Sequence, residues 1–321
     1  MTTYKGVKGF TVQTIAGDPP TPIVGQVYYN STSSTLKGIV AGSVGAWSSG
    51  AALNSARSTS GTAINATQTA GLVFGGESPP TANSEEYNGT CWAEGNNLNQ
   101  ARAGLRGTGT QTLALAAGGN GTYTPLAESY DGTTWTVSTA MPTGKGNSAS
   151  AGLQTSALIF GGLNPPGARD VNTYLWNGSS WTEVADMVQA KDSLSGFGLA
   201  TAAIAGGGDT PSTTVNVESY NGTCWSETTN LNVGRRSMGN AGTQTLGLFY
   251  GGDGAPGFTA NTESWNGTAW TEVANMATAR ATEGSGTQSA ALAIGGENPG
   301  YVALTELWTI PDTVTKTFTV S

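Results

Sequence analysis

A chain of 321 residues with 48 glycines, 11% charged residues and a formal net charge of −8 is long enough to bury a sizeable core, as one large all-β domain or two smaller domains. Its 13 lysines and arginines form no cluster, which argues against a nucleic-acid or anionic-membrane partner, since either needs a concentrated basic face to displace counterions. The complete absence of histidine excludes histidine-based acid-base catalysis, Ser-His-Asp triads and imidazole-ligated metals.

The opening MTTYKGVKGF has no apolar core behind its basic residues, and no apolar run reaches the length of a membrane span. The expectation is a chain made and folded in a cytosol without membrane insertion. Residues 1–42 alternate like strands, first at Phe10, Val12 and Ile15, then as GQVYYN and TLKGIV around the polar turn at 31–34, with the Pro-rich GDPPTP at 17–22 as a link. Such an arm is too short to hold a core alone, so it is expected to dock for assembly or anchoring.

Residues 43–310 are repetitive. Double glycines recur at Gly75-Gly76, Gly118-Gly119, Gly161-Gly162, Gly206-Gly207, Gly251-Gly252 and Gly295-Gly296, at steps of 43 to 45 residues. Seven residues before each pair stands Gln68, Gln111, Gln154, Gln244 or Gln288, with Leu199 in the fourth unit. After each pair comes an aromatic, at Tyr87, Tyr130, Trp176, Tyr220, Trp265 and Trp308. Five residues later a tryptophan closes the unit, at Trp92, Trp135, Trp181, Trp225 and Trp270. The last unit lacks that tryptophan, while Trp47, 45 residues before Trp92, has no unit of its own. A last copy completed from the N-terminal side is what a closed ring requires, because an open one would leave sheet edges exposed.

Within the first unit the predicted strands are SGTAINA, AGLVFGG, SEEYN and TCWAEG. The third and fourth are joined in every complete unit by Asn-Gly or Asp-Gly (Asn88-Gly89, Asp131-Gly132, Asn177-Gly178, Asn221-Gly222, Asn266-Gly267), the pair suited to the positive φ angles of a tight hairpin. The double glycines leave room for a neighbouring backbone or a large ring. Ten residues after each closing tryptophan stands a base, at Arg57, Arg102, Lys145, Lys191, Arg235 and Arg280. Two before each aromatic stands an acid, at Glu85, Glu128, Glu218, Glu263 and Glu306, with Tyr174 breaking the column. A ring of structural ion pairs, one per unit, is expected in preference to a basic ring for an anionic ligand.

Double glycine, tyrosine and tryptophan at a period in the forties resemble the kelch repeat, which implies four-stranded blades of a β-propeller closed by a strand from the opposite terminus. The fold class expected is therefore all-β, a six-bladed kelch-like β-propeller closed by a strand around Trp47, preceded by an N-terminal β arm and followed by a C-terminal strand at 311–321. The tyrosine-to-tryptophan interval is shorter than in typical kelch units. The echo of GFTVQ in TFTVS points to pairing of the two termini. The whole chain also resembles propeller-bearing structural proteins of tailed bacteriophages, especially those of marine cyanobacteria, and GQVYYNSTSSTLKGIV is similar to short hairpin modules near attachment regions of phage tail and fibre proteins.

Other motifs carry less. Cys91 and Cys224 lie in units opposite each other in a ring of six, too far apart to bridge, and are expected to be free thiols. GDGAPG at 252–257 matches GxGxxG but leads into a loop and not a helix. Asn30, Asn65, Asn88, Asn120, Asn177, Asn221 and Asn266 meet the N-x-S/T rule, four of them as hairpin-turn asparagines. SYDGTTW approaches the Asp-box of sialidases, which implies three convergent arginines; Arg106, Arg169 and Arg236 are those outside the repeated column.

The loops between the second and third strands vary in length and content, the usual seat of specificity on a rigid scaffold, and carry Tyr123, Pro165, Arg169, Phe258 and Tyr301 as the candidate ligand face. The function expected is a non-enzymatic structural or adhesive component of a phage particle, without catalytic residues, cofactor or metal. It would be made in the host cytoplasm and located in the virion. Its partners would be other virion proteins, through the arm, and a host-surface glycan or protein. The alternatives are a sialidase-like glycan-processing enzyme and an intracellular kelch-like scaffold.

Overall fold

The protein is described from a computed structural model, in which residues 12–20, 26–41, 45–77, 79–120, 123–311 and 313–318 are the described ones. Phe10, Thr21-Pro22 of the Pro-rich link, Ser78 and Gly121-Thr122 of two variable loops, and the end of TFTVS lie outside them. Contacts divide the chain into two units, 1–45 together with 310–321, and 46–309.

In the first unit the strands Gln13–Ile15, Val27–Asn30, Thr35–Ala41 and Thr313–Thr317 form one sheet in that order. Thr35–Ala41 is the antiparallel partner of Thr313–Thr317, with Lys37 opposite Thr317 at the head of TFTVS, while most of the two echoing segments lies outside the described residues. The polar turn is held by Asn30, whose Oδ1 accepts from the backbone N–H groups of Thr32 and Ser33, both at 3.0 Å. Asp18 gathers the Tyr28 hydroxyl at 2.9 Å, Asn30 Nδ2 at 2.7 Å and Lys37 Nζ at 2.7 Å. These bonds, that of Lys37 foremost, hold its carboxyl below the usual range.

The second unit holds, among the described residues, five sheets of four antiparallel strands, a sixth with the same four-strand order to which the short Gly300–Tyr301 adds a fifth strand, two small two-stranded sheets and no helix. The first runs Gly61–Thr62, Leu72–Phe74, Ser84–Tyr87 and Trp92–Glu94. In the sixth, Ala281–Thr287, Ala290–Asn298 and Thr305–Thr309 are followed by Ala46–Ser49 from the other end of the chain, with Trp47 opposite Trp308. That register repeats Tyr87 opposite Trp92, and the ring centroids stand 5.6 Å and 5.0 Å apart respectively. Tyr87, Trp92 and Trp308 are buried and Trp47 is half-buried, and aromatic pairs at these distances add about 0.5–1.5 kcal/mol beyond their area.

The hairpin between third and fourth strands differs from the expected two-residue turn. Four residues intervene between Tyr87 and Trp92, and glycine alone takes positive φ, +90° at Gly89. Asn88 acts through its side chain: Oδ1 accepts from the backbone N–H of Thr90 and of Cys91, each at 2.9 Å. Asp131 does the same for Thr133 and Thr134, and these bonds hold its carboxyl down at about 2.

What the double glycines receive is backbone, not rings. Gly76 N–H donates to Arg102 O at 3.0 Å, Gly119 to Lys145 O at 2.8 Å, Gly162 to Lys191 O at 2.8 Å, Gly208 to Arg235 O at 3.0 Å and Gly252 to Arg280 O at 2.8 Å, and Gly296 reaches Arg57 O at 2.8 Å. A Cβ on Gly75 would sit 2.7 Å from Arg102 O, and Gly75 and Gly76 both have positive φ. In the fourth unit the pair making these bonds is Gly207-Gly208, one residue on from the pair chosen in the sequence. The glutamine position of that unit then falls on Ala200 and not Leu199, in the turn flanked by Leu199 opposite Ala202.

While its carbonyl faces the preceding sheet, each base sends its side chain into its own. Arg57 meets Glu85 at 2.6 Å, Arg102 meets Glu128 at 2.8 Å, Lys191 meets Glu218 and Arg235 meets Glu263 at 3.1 Å, and Arg280 meets Glu306. In the third unit, where Tyr174 occupies the acid position, Lys145 pairs instead with Asp170 at 2.6 Å and lies 5.3 Å from the Tyr174 ring centroid. All are buried. The carboxylates also accept from the loop before the base: Glu128 takes Asn99 N–H at 2.7 Å and Asn99 Nδ2 at 2.8 Å. Burial lowers the pKa of every one of these bases against the opposing pull of its partner.

The glutamines tie neighbours together as well. Gln111 Nε2 donates to Tyr87 O at 2.8 Å and Gly71 O at 3.0 Å of the first sheet, and Gln68 donates to Trp308 O at 2.5 Å and Ala291 O at 3.1 Å of the sixth. First strands of successive sheets touch, the sixth touching the first, where Thr62 Oγ1 donates to Gly284 O at 2.8 Å. Residues from all six approach a cavity of about 20 Å³, among them Ser60, Arg106, Ser150, Ser195, Asn240 and Glu283. That volume holds about one water. Arg106 and Glu283 meet across it at 3.5 Å.

Removing one partner of a buried ion pair costs about 3–5 kcal/mol. Arg102→Ala is therefore expected to lower unfolding free energy by about that amount in chemical denaturation, and to leave ligand affinity unchanged; lost binding at unchanged stability would overturn the structural role. Burial raises the pKa of Glu283 above its ordinary 4.5, against the weaker effect of Arg106. Its stabilising contribution is thus complete below 4.5 and is lost as pH rises through the folded-state value. The melting temperature of wild type minus that of Glu283→Gln should fall across this window, and a difference constant with pH would refute the assignment.

Candidate functional site

The four-stranded meander places first-to-second and third-to-fourth turns at one end of each sheet. The second-to-third loops, and the links leading to the next sheet, lie at the other. The hairpin end is uniform and its turns are satisfied locally. The loop end carries the sequence variation, and all five candidate residues lie there.

They meet in neighbouring groups and not in one pocket. Tyr123, in the second sheet's loop, has positive φ (49°) and lies against the third sheet's loop, where a Cβ on Gly167 would stand 3.0 Å from its hydroxyl. Pro165 is exposed on that same loop. Arg169, at its end, pairs with Asp192 at 2.5 Å. Phe258, with Pro256, lines a hollow of about 200 Å³ beside Arg235. Tyr301, 40% exposed, donates its hydroxyl to Glu77 Oε2 at 3.0 Å, joining the sixth sheet's loop to the first sheet's. Hydrogen bonding to Glu77 raises the pKa of that phenol.

The three arginines outside the repeated column do not converge. Arg106 lies at the central cavity with Glu283, Arg169 is paired with Asp192, and Arg236 is paired with Asp209 at 2.5 Å and Asp253 at 2.7 Å. The hydrogen bonds that Arg236 donates to those two carboxylates raise its pKa. Each guanidinium already faces a carboxylate, so no trio is free to grip an acidic sugar. Cys91 and Cys224 are exposed free thiols in hairpin turns, and no group of three potential metal ligands occurs among the described residues.

Two further hollows, of about 290 and 140 Å³, lie on either side of Glu77. Glu77 was not among the sequence candidates, yet it belongs to a column. The residue after each glycine pair is Glu77, Asn120, Leu163, Asp209, Asp253 and Glu297, acidic in four units. Its backbone is fixed by a bridge to the residue after the repeated base, as in Ser58 with Glu77, Asp192 with Asp209 and Arg236 with Asp253. The one-residue misplacement of the fourth glycine pair hid this column by putting Gly208 where Asp209 belongs.

No known family profile matches the sequence, and no curated protein sequence matches it. Among solved structures 350 chains match. One of them, the structure of YjhT, is similar with a TM-score of 0.69 at 11% sequence identity, over 84% of this chain and 100% of that one. At that identity the likeness speaks for the fold alone. Together with the repeated four-stranded antiparallel sheets, it makes this chain an all-β protein with a β-propeller fold.

Proposed function

We propose that the second unit is a closed, six-bladed propeller of kelch type, and that the chain is a non-enzymatic binding module displayed on a bacteriophage particle. Closure is supported by three links that recur between neighbouring sheets and join the sixth sheet to the first as well. These are the glycine-to-carbonyl bond of Gly296 with Arg57, the glutamine bond of Gln68 with Trp308, and first-strand contact at Thr62. The kelch assignment rests on the double glycine, tyrosine and tryptophan columns. The phage assignment rests on the resemblance carried by GQVYYNSTSSTLKGIV and by the style of the repeats.

One observation carries the display reading. The chain enters and leaves the propeller at Ala46 and Thr309, which pair with each other at the hairpin end of the sixth sheet. The variable loops lie at the other end of every sheet, away from both attachments. A scaffold tethered by one end and varied at the other is built to present the varied end. Tyrosine, phenylalanine, proline and asparagine there suit a host-surface glycan or protein. The first unit is then the part that engages other virion proteins.

Cryo-electron microscopy of purified particles tests this directly. The expected result is propeller density joined to the particle through residues 1–45 and 310–321, with the loop end facing solvent. Particles without the chain, or with the loop end buried in the particle, would overturn the reading.

A further inference from the structure

The loop end is acidic where it is not neutralised: of the four acids that follow the glycine pairs, Asp209 and Asp253 are paired with arginine, Glu77 and Glu297 form no ion pair among the described residues, and of these two Glu77 borders the hollows. Asp192 faces Arg169, and Asp209 and Asp253 share Arg236. Glu77 occupies the same column as Asp209 and Asp253, but its bridging neighbour is Ser58, which cannot neutralise it. Its Oε2 accepts from the Tyr301 hydroxyl, and its Oε1 has no partner among the described residues. The carboxylate is thus held in place by the scaffold and a tyrosine, with acceptor capacity unused.

Around it lies space of the right kind. The larger hollow, about 290 Å³, is walled by Glu77, Pro80, Gln100, Asn120 and Thr124, and the smaller one adjoins Glu77 on its other side. This size is at the lower bound of small-molecule sites, roughly 300 Å³. Asn120 Nδ2 donates to Asn147 at 2.9 Å, and its Oδ1 has no hydrogen-bond partner. Arg57 and Arg102, at the back of the two hollows, are buried and committed to Glu85 and Glu128, so they offer an incoming anion nothing. Tyr301 is exposed, and its bond to Glu77 fixes the ring as a flat apolar surface beside the carboxylate.

We propose that these hollows form a binding site for a neutral pyranose, with Glu77 as the acceptor for vicinal sugar hydroxyls and Tyr301 as a stacking surface. A carboxylate accepts two hydroxyl protons in charge-assisted bonds, amide side chains serve both donors and acceptors, and the apolar face of the sugar meets the ring. The unneutralised charge makes an acidic sugar the wrong ligand, since like charges at close range cost affinity. The inference rests on the reading of the loop end as the binding face, and it names that face's ligand class.

The experiment is saturation-transfer NMR and titration of the full chain with methyl glucoside, methyl galactoside, methyl mannoside, N-acetylglucosamine and N-acetylneuraminic acid. At least one neutral sugar is expected to bind and N-acetylneuraminic acid is not. Glu77→Gln should weaken that binding by at least roughly tenfold, the loss of a charge-assisted hydrogen bond, and Tyr301→Ala should weaken it as well. Leu246→Ala, an exposed residue at the hairpin end of the fifth sheet and outside these hollows, should leave it unchanged. Circular dichroism of each variant establishes that the fold is intact; Glu77 is on the surface, so its change should not disturb it. The proposal fails if no neutral sugar binds, if Glu77→Gln binds as wild type does, or if the acidic sugar binds instead. Failure here with the chain found on particles, loop end outward, would leave the display reading standing. Sugar binding by a chain absent from particles would do the reverse.

Discussion

The rest of the propeller unit depends on one residue type placed between sheets: a base whose carbonyl accepts from the glycine pair of one sheet while its side chain is buried against a carboxylate of the next. Arg102 is the plainest case, with its carbonyl on Gly76 and its guanidinium on Glu128, Gly118 O and Leu126 O. A sheet edge buried against a neighbour needs its polar groups satisfied, and this arrangement meets that need with backbone and side chain of one residue. It also explains the glycines. Any Cβ at Gly75 would collide with the carbonyl that holds the sheets together.

Around that link the remaining columns sort by what they touch. The tyrosine or tryptophan and the closing tryptophan pack across the third and fourth strands, and the closing tryptophan also reaches the preceding sheet, where Trp92 Nε1 donates to Thr305 Oγ1 and Trp225 Nε1 to Thr173 Oγ1, each at 3.0 Å. The glutamine reaches the backbone of the preceding sheet, so it sets the contact between sheets at the hairpin end, as the base does at the loop end. Where a column is broken the structure compensates or does without. Lys145 takes Asp170 because Tyr174 occupies the acid position, and the tyrosine ring lies near the ammonium. Ala200 makes no side-chain hydrogen bond where glutamine stands elsewhere.

Much of this was legible in the sequence because each column answers to a periodic constraint. The tryptophan missing from the last unit and found at Trp47 predicts the pairing that Ala46–Ser49 makes with Thr305–Thr309. The base and acid columns predict who meets whom. What the sequence obscured is equally physical. Three consecutive glycines at 206–208 allow two registers, and only the bond from Gly208 to the Arg235 carbonyl selects one. Asn-Gly fits both a two-residue turn and a side-chain-capped four-residue turn, and the choice depends on backbone angles that residue types alone do not decide. Asp170 is four residues from the acid position of its unit, a displacement that only the packing of Tyr174 makes reasonable. The five aromatic, proline and arginine candidates carry their chemistry at variable positions, whereas Glu77 sits directly after a repeated glycine pair, where the repeat masks it.

That position also explains how a rigid repeat comes to have a variable face without losing its fold. At residues 77, 209 and 253 the backbone is fixed by bridges to the residue following the base, so the main chain is settled before the side chain is chosen. Identity is then free to drift in pairs. Where the partner is arginine, as with Asp253 and Arg236, the result is a clamp across the bridge. Where the partner is serine, as with Glu77 and Ser58, the carboxylate is left facing outward in a place the scaffold holds still. Fixed backbone and unneutralised charge are separate properties, and a binding site needs both: the first limits the ordering cost on association, the second supplies something to bind with. The same link that holds neighbouring sheets together thus sets the geometry of the loop end one residue further on.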